Sequence, residues 1–117
     1  MAETTAQTAL IERLRDLLTD ETVLREVSMF GGRSFIVNGK MIVSARKDGG
    51  LLVRVPADRH QELLERPGAE QAEMGAGRDM GPGWIEVDAA SISDDEKLSS
   101  WIRVAMEHNR TVTRRNG

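Results

Sequence analysis

The sequence contains no cysteine and no tyrosine, and its only aromatic residues are two Phe and two Trp. Without thiols the chain cannot form disulfides, zinc–thiolate sites or iron–sulfur clusters, and thiol catalysis is excluded. No apolar run approaches the roughly 18 residues that suggest a membrane span, and the first ten residues include no basic residue. We therefore expect a cytoplasmic protein without a signal peptide and without a membrane partner.

The charged residues make up 30% of the 117-residue chain and give it a formal net charge of −3. This composition is typical of one soluble domain that is long enough to bury a core without a disulfide or a structural metal. Residues 25–54 hold six basic and two acidic residues, a net charge of +4 that leaves −7 for the rest. The basic region either guides an anionic partner or only reflects the preference of helices for acidic first turns.

Hydrophobic spacing predicts helices at both ends of the chain and strands between them. Leu10, Leu14 and Leu18 recur at helical intervals and predict a helix over residues 3–19. Ser93 and Glu96 have the spacing of a capping box and predict a last helix that ends near His108. Between them we expect strands at 24–30, 33–37, 40–46, 51–55 and 84–87, a short helix at 58–66, and an irregular connection at 67–83.

The resulting order is α-β-β-β-β-α-β-α, which does not alternate as a parallel doubly wound sheet would. It predicts an α+β two-layer sandwich with a five-stranded antiparallel sheet. We expect one domain over residues 1–109 and a flexible basic tail over residues 110–117.

The strongest local signal is Asn38-Gly39, which favours a type I′ hairpin turn because both residues accept a positive φ. A two-residue turn fixes the register and predicts four opposed pairs: Val37 with Lys40, Ile36 with Met41, Phe35 with Ile42, and Ser34 with Val43. We also expect Arg46 to oppose Leu51. One face of the sheet then collects Phe35, Val37, Ile42, Leu51, Val53 and Val55.

The opposite face is too apolar to meet water alone, because it collects Ile36, Met41, Val43, Ala45 and Leu52 beside Ser34 and Arg54. Either the helices or the long loop cover this face, or it binds a second copy or another protein. Our leading hypothesis is a small non-enzymatic interaction module whose partner-binding residues are Ile36, Met41, Val43, Leu52 and Arg54, with Phe30 and Lys40 at the rim.

The alternative hypothesis is an accessory nucleic-acid-binding or transcription-linked protein. Its phosphate contacts would come from the basic sheet region and the tail, namely Arg33, Lys40, Arg46, Arg54, Arg110, Arg114 and Arg115. The shortage of aromatic residues for base stacking disfavours this hypothesis.

The residue types that carry chemistry do not form recognisable motifs. His60 and His108, the only histidines, have no metal-spaced neighbour. We interpret His60 as a solvated helix residue and His108 as a cation at a helix C-terminus. No nucleophile motif is present, and the glycines between residues 75 and 83 lack the Gly-Lys-Ser/Thr of a phosphate loop. We expect no enzymatic activity, no metal and no cofactor.

Three segments share a pattern with a known family: Ser-Met-Phe-Gly-Gly at 28–32, Phe-Ile-Val-Asn-Gly-Lys-Met at 35–41, and Met-Gly at 80–81 before Trp-Ile-Glu-Val at 84–87. The pattern resembles the TfoX N-terminal domain family, and the resemblance covers about residues 10–108. The resemblance implies a two-layer α+β fold related to secretion-chaperone-like domains. In the TfoX/Sxy regulators this domain precedes a helical C-terminal domain and the protein promotes competence gene expression, and the resemblance implies no catalytic residue.

Overall fold

The computed structural model of the chain describes residues 5–21, 24–29, 32–73 and 78–115. Three helices and six strands make up the fold. The helices are α1 (Thr5–Leu17), α2 (His60–Leu63) and α3 (Asp95–Arg115), and two 3-10 turns cover Ala57–Arg59 and Ala89–Ile92. The strands are β1 (Leu24–Met29), β2 (Gly32–Val37), β3 (Lys40–Arg46), β4 (Leu51–Arg54), β5 (Ala69–Gln71) and β6 (Trp84–Val87).

All six strands form one antiparallel sheet in the order β1-β2-β3-β4-β6-β5. The α+β class is confirmed, but the prediction of five strands is one too few, because β5 lies inside the stretch expected to be irregular. Its three residues, Ala-Glu-Gln, include no β-branched or aromatic side chain, so the sequence gives no strand signal there. The strand exists because it pairs with β6, where Ala69 opposes Val87.

The predicted hairpin turn is confirmed, since Asn38 and Gly39 have φ values of 54° and 81°. Val37 opposes Lys40 and Ile36 opposes Met41, as predicted. Beyond these pairs a β-bulge shifts the register by one residue, so that Phe35 opposes Val43 and Ser34 opposes Ser44.

The predicted pairs of Phe35 with Ile42 and of Ser34 with Val43 are therefore wrong. The connection to β4 is also one residue shorter than expected, because Arg46 donates its backbone N–H to the Gly50 carbonyl at 2.9 Å. Ala45, and not Arg46, opposes Leu51.

One face of the sheet carries the hydrophobic core. Phe35, Val43, Val53 and Ile85 are consecutive register partners across β2, β3, β4 and β6, so they point to the same side. They belong to a single buried cluster with the apolar residues of α1 and α3, which places both long helices on this face. The two-layer arrangement is confirmed, whereas the prediction that Val43 lies on the opposite face is wrong because of the bulge.

The opposite face is more polar than predicted. Its central row is Ser34, Ser44, Leu52 and Glu86, and the first three are completely buried. The Ser34 hydroxyl donates a hydrogen bond to the Ser44 hydroxyl at 3.0 Å. Arg46 reaches across β4 to form an ion pair with Glu86 at 3.2 Å. In the described residues this face is therefore less apolar than predicted, and its centre is covered and not free to bind a partner.

Helix α3 is longer than predicted, continuing beyond His108 to Arg115, so residues 110–115 of the expected flexible tail are helical. Asn109 has low helix propensity, yet it lies inside α3. The side-chain amide of Asn109 binds the β2–β3 hairpin. Its Nδ2 donates to the Val37 carbonyl at 2.9 Å, and its Oδ1 accepts from Asn38 Nδ2 at 3.2 Å. Asn109 is only 2% exposed and fastens the helix to the hairpin turn.

His60 is buried, at 3% exposure, so its interpretation as a solvated residue is wrong. Its Nδ1 accepts a hydrogen bond from the Gly83 N–H at 2.9 Å, which leaves the proton on Nε2. Nε2 then donates to Gln71 Oε1 at 2.7 Å. The imidazole ties α2 to β5 and to the residue that precedes β6.

We predict that replacing Asn109 by Ala lowers the free energy of unfolding by about 1–3 kcal/mol, because the buried Val37 carbonyl loses a donor. Asn38→Gly is the matched control, since it keeps the positive φ of the turn and removes only the partly buried bond to Asn109. Its cost should be about 1 kcal/mol or less. Urea denaturation measures both, and equal losses would contradict an anchoring role for Asn109.

Candidate functional site

A cleft of about 290 Å³ opens at the end of the sheet that carries the β2–β3 turn. It lies between the starts of β3 and β6, the end of β4, and the C-terminal half of α3. Its lining residues, called the α3 cleft below, are Lys40, Met41, Arg54, Trp84, Ala105, His108, Asn109 and Val112. The surface is mostly apolar, with positive charges among the apolar groups.

The helical wall of the α3 cleft comes from Ala105, His108, Asn109 and Val112. These positions follow the spacing i, i+3, i+4 and i+7, so they share one face of α3. Ala105 and Asn109 are buried, and His108 and Val112 are half-buried. The hydrogen bonds of Asn109 to the hairpin set the position of this wall relative to the strands.

The sheet wall of the α3 cleft is organised by a cation–π contact. Arg54 and Trp84 oppose each other on β4 and β6, and the guanidinium carbon lies 4.6 Å from the centroid of the indole. Such stacking holds the arginine in place without neutralising its charge. Met41 is half-buried beside this pair, and Lys40 is exposed at the rim.

The electrostatics of the α3 cleft are positive. No described residue forms an ion pair with Lys40 or Arg54. Burial holds the pKa of His108 below its ordinary value of 6.5, and the nearby charge of Arg54 lowers the pKa further, against an opposing effect of Asp58. At neutral pH the cleft therefore holds two permanent cations and one uncharged imidazole.

The residues predicted to bind a partner lie in different parts of the structure, some in the α3 cleft and others fully buried. Lys40, Met41 and Arg54 come together in the α3 cleft, and Ile36 is half-buried and directly opposite Met41. Val43 and Leu52 have no exposed surface, so neither can contact a partner on this conformation of the sheet. Phe30 lies outside the described residues.

The residues of the nucleic-acid hypothesis do not form one surface. Arg33 pairs with Glu26 at 3.5 Å, Arg46 with Glu86 at 3.2 Å, and Arg110 with Glu21 at 3.9 Å. Arg33 opposes Ala45, the residue before Arg46. The side chains of Arg33 and Arg46 therefore point to opposite faces of the sheet. Arg114 and Arg115 belong to α3, but their side chains lie outside the described part.

Sequence reasoning missed most of the helical wall. Val112 was assigned to a flexible tail, and His108 was interpreted only as a terminal cation. The spacing of Ala105, His108, Asn109 and Val112 would have revealed a common helix face if the helix had been extended by seven residues. The contact of Trp84 with Arg54 depends on the β4–β6 register, which sequence reasoning did not predict.

A second cleft, of about 220 Å³, lies near the other end of β6 and is lined mainly by acidic residues with Arg46 among them. Within the described ranges, no group of three or more His, Asp or Glu side chains is arranged to hold a metal ion. The acidic cleft therefore offers no metal centre from these residues, and Arg46 already pairs with Glu86 there.

The fold and the α3 cleft define an α+β domain with an apolar, positively charged cleft at one end of its sheet. A comparison with family models matches residues 16–109 to the TfoX N-terminal domain, which is most of the chain. The chain therefore belongs to the TfoX N-terminal domain family, and this membership indicates a regulatory or competence-related domain. No curated protein matches the sequence closely enough to count as a relative. Among the described helices, none is long and apolar enough to cross a membrane.

We predict opposite effects of two single substitutions on the pKa of His108. Arg54→Gln removes a neighbouring positive charge and should raise this pKa, whereas Asp58→Asn removes a negative charge and should lower it. The imidazole proton resonances of His108, followed by NMR between pH 4 and 8, measure both.

Folding lowers the pKa of His108 below its ordinary value of 6.5. The contribution of His108 to the free energy of unfolding is therefore complete above pH 6.5, and it is lost as the pH falls through the pKa of the folded state. A shift of the same sign in both variants would contradict the electrostatic assignment.

Proposed function

We propose that the protein is a small, non-enzymatic, cytoplasmic interaction module with a regulatory role, and that it binds a protein partner through the α3 cleft. The observation that carries this proposal is the composition of the cleft. Trp, Met and Arg side chains are the types enriched at the centres of protein interfaces, and here Trp84, Met41 and Arg54 occupy one concave surface.

The size of the cleft supports a protein partner. A volume of about 290 Å³ is at the lower limit of pockets for small molecules, and it suits one large apolar side chain that a partner inserts. An inserted side chain of this kind is the usual centre of an interface, with polar contacts around it. Lys40 and Arg54 provide such polar contacts at the rim.

The non-enzymatic part of the proposal rests on the chemistry of the lining. Its described residues include one imidazole, the two cations of Lys40 and Arg54, and one amide, but no carboxylate, hydroxyl or thiol. A general acid or base acts with a nucleophile or a second proton-transferring group, and these lining residues supply no such pair. The Asn109 amide is engaged in holding α3 to the hairpin.

Selection from a random peptide library displayed on phage tests the proposal with purified protein. We expect peptides that bind the wild type and lose at least about tenfold in affinity for Met41→Glu, which places a charge on the apolar part of the cleft. Leu17→Glu is the matched control, because Leu17 is an exposed apolar residue on α1, at 39% exposure, that does not line the cleft.

The peptides should bind Leu17→Glu as tightly as the wild type. The proposal is wrong if the selection enriches no peptide, or if the enriched peptides bind Met41→Glu without loss. Circular dichroism and urea denaturation of both variants establish that any loss is local, since Met41 is only half-buried.

A further inference from the structure

We propose that the partner of the α3 cleft is an acidic protein segment, in which an apolar side chain enters the cleft and a neighbouring carboxylate binds between Arg54, Lys40 and His108. This inference rests on the proposed function and specifies the chemistry of the partner. It follows from the charges of the cleft, from the geometry of Arg54 and from the position of His108.

Charge complementarity selects a negatively charged partner. Among the described residues, every ionisable side chain that lines the α3 cleft is basic, namely Lys40, Arg54 and His108. The chain as a whole carries a net charge of −3, so the positive charge of the cleft is local. Elsewhere in the described structure six arginines pair with carboxylates, namely Arg13, Arg15, Arg33, Arg46, Arg59 and Arg110, whereas Arg25, Arg66, Arg78 and Arg103 do not. The cations of the cleft lack such a partner among the described residues.

The stacking of Arg54 on Trp84 leaves the guanidinium suited to a carboxylate. The guanidinium carbon of Arg54 lies over the indole of Trp84, 4.6 Å from its centroid, and the group carries five N–H donors. No described residue accepts a hydrogen bond from these donors. A guanidinium whose face is held by an aromatic ring loses little further freedom when its edge binds a carboxylate through two parallel bonds.

The apolar part of the cleft lies directly beside these donors. Met41, Trp84, Ala105 and Val112 contribute it, while the amide of Asn109 is occupied by Val37 and Asn38. A segment that fits must therefore present its apolar group and its carboxylate within one or two residues of each other. A nucleic acid would instead need several separated phosphate contacts, and Arg33, Arg46 and Arg110 are each paired with a carboxylate.

His108 makes the proposed binding depend on pH. The charged groups near its imidazole are Arg54 from β4 and Asp58 from the 3-10 turn that follows, and Lys40 from β3 lines the same cleft. The residues one turn away on α3 are uncharged, namely Val104, Ala105, Thr111 and Val112. A bound carboxylate favours the imidazolium, so by linkage binding becomes tighter as the pH falls through the pKa of His108.

Matched peptides test the inference with the full chain. The probes are acetylated and amidated 12-residue peptides of Gly, Ser and Ala with one central Phe, followed by Glu, Gln or Lys. Titrations monitored by ¹H–¹⁵N NMR give the dissociation constant from the shifts of the cleft residues. At pH 6 we expect the Glu peptide to bind about tenfold more tightly than the Gln peptide, and the Lys peptide to bind most weakly.

Two variants and a change of pH separate the contributions. Arg54→Gln should reduce the preference for Glu over Gln to about twofold or less, and Lys40→Gln, at an exposed position that does not affect folding, should reduce it in the same direction. The affinity for the Glu peptide should rise severalfold from pH 8 to pH 5.5, where its carboxylate is still ionised. His108→Gln should remove that rise.

Equal binding of the Glu and Gln peptides in the cleft would overturn the inference and leave the proposed function intact. Cleft shifts with none of the peptides, together with a failed library selection, would overturn both. Cleft shifts that appear with a 20-nucleotide single strand but not with the Glu peptide would replace the acidic segment by a phosphate backbone. Cleft shifts that depend on protein concentration alone would show that the cleft binds a second copy of the chain and not an acidic segment.

Discussion

The hydrogen bond from the Asn109 amide to the Val37 carbonyl is the contact on which the arrangement of this molecule depends. It joins the last helix to the tightest turn of the sheet, two elements separated by more than 70 residues along the chain. Because the helix is fixed at this point, the residues one turn before and one turn after Asn109 face the ends of β3, β4 and β6. The α3 cleft is the space that remains between them.

The local elements of the fold follow from short-range signals. The spacing of the leucines in α1 and the Asn38-Gly39 turn each specify a structure within a few residues of themselves. The predicted capping box before α3 is wrong in detail, because Asp94 accepts the Glu96 N–H at 2.7 Å while the Ser93 hydroxyl donates to the Ala90 carbonyl. The register of the sheet does not follow in the same way, since one extra residue in β3 reverses the direction of every side chain beyond it. That bulge moved Val43 into the core and placed Ser44 on the opposite face.

The candidate site was predictable only in part, for the same reason. Lys40 and Met41 adjoin the turn, and Arg54 ends a strand whose position is nearly correct, so sequence patterns identified these three. Trp84 and His108 reach the site through long-range pairing and through the true length of α3. A buried amide such as Asn109 has the sequence character of a helix end, and only its distant partner explains why the helix continues.

The two tryptophans occupy contrasting places, since Trp84 lines the cleft and Trp101 is 3% exposed within the core. An arginine lies over each ring, Arg54 at 4.6 Å from one centroid and Arg66 at 4.9 Å from the other. The molecule thus contains two indole fluorophores with different access to solvent. We expect emission from Trp84 to respond to occupation of the cleft and emission from Trp101 to change when the core unfolds, so intrinsic fluorescence should separate ligand binding from unfolding without any label.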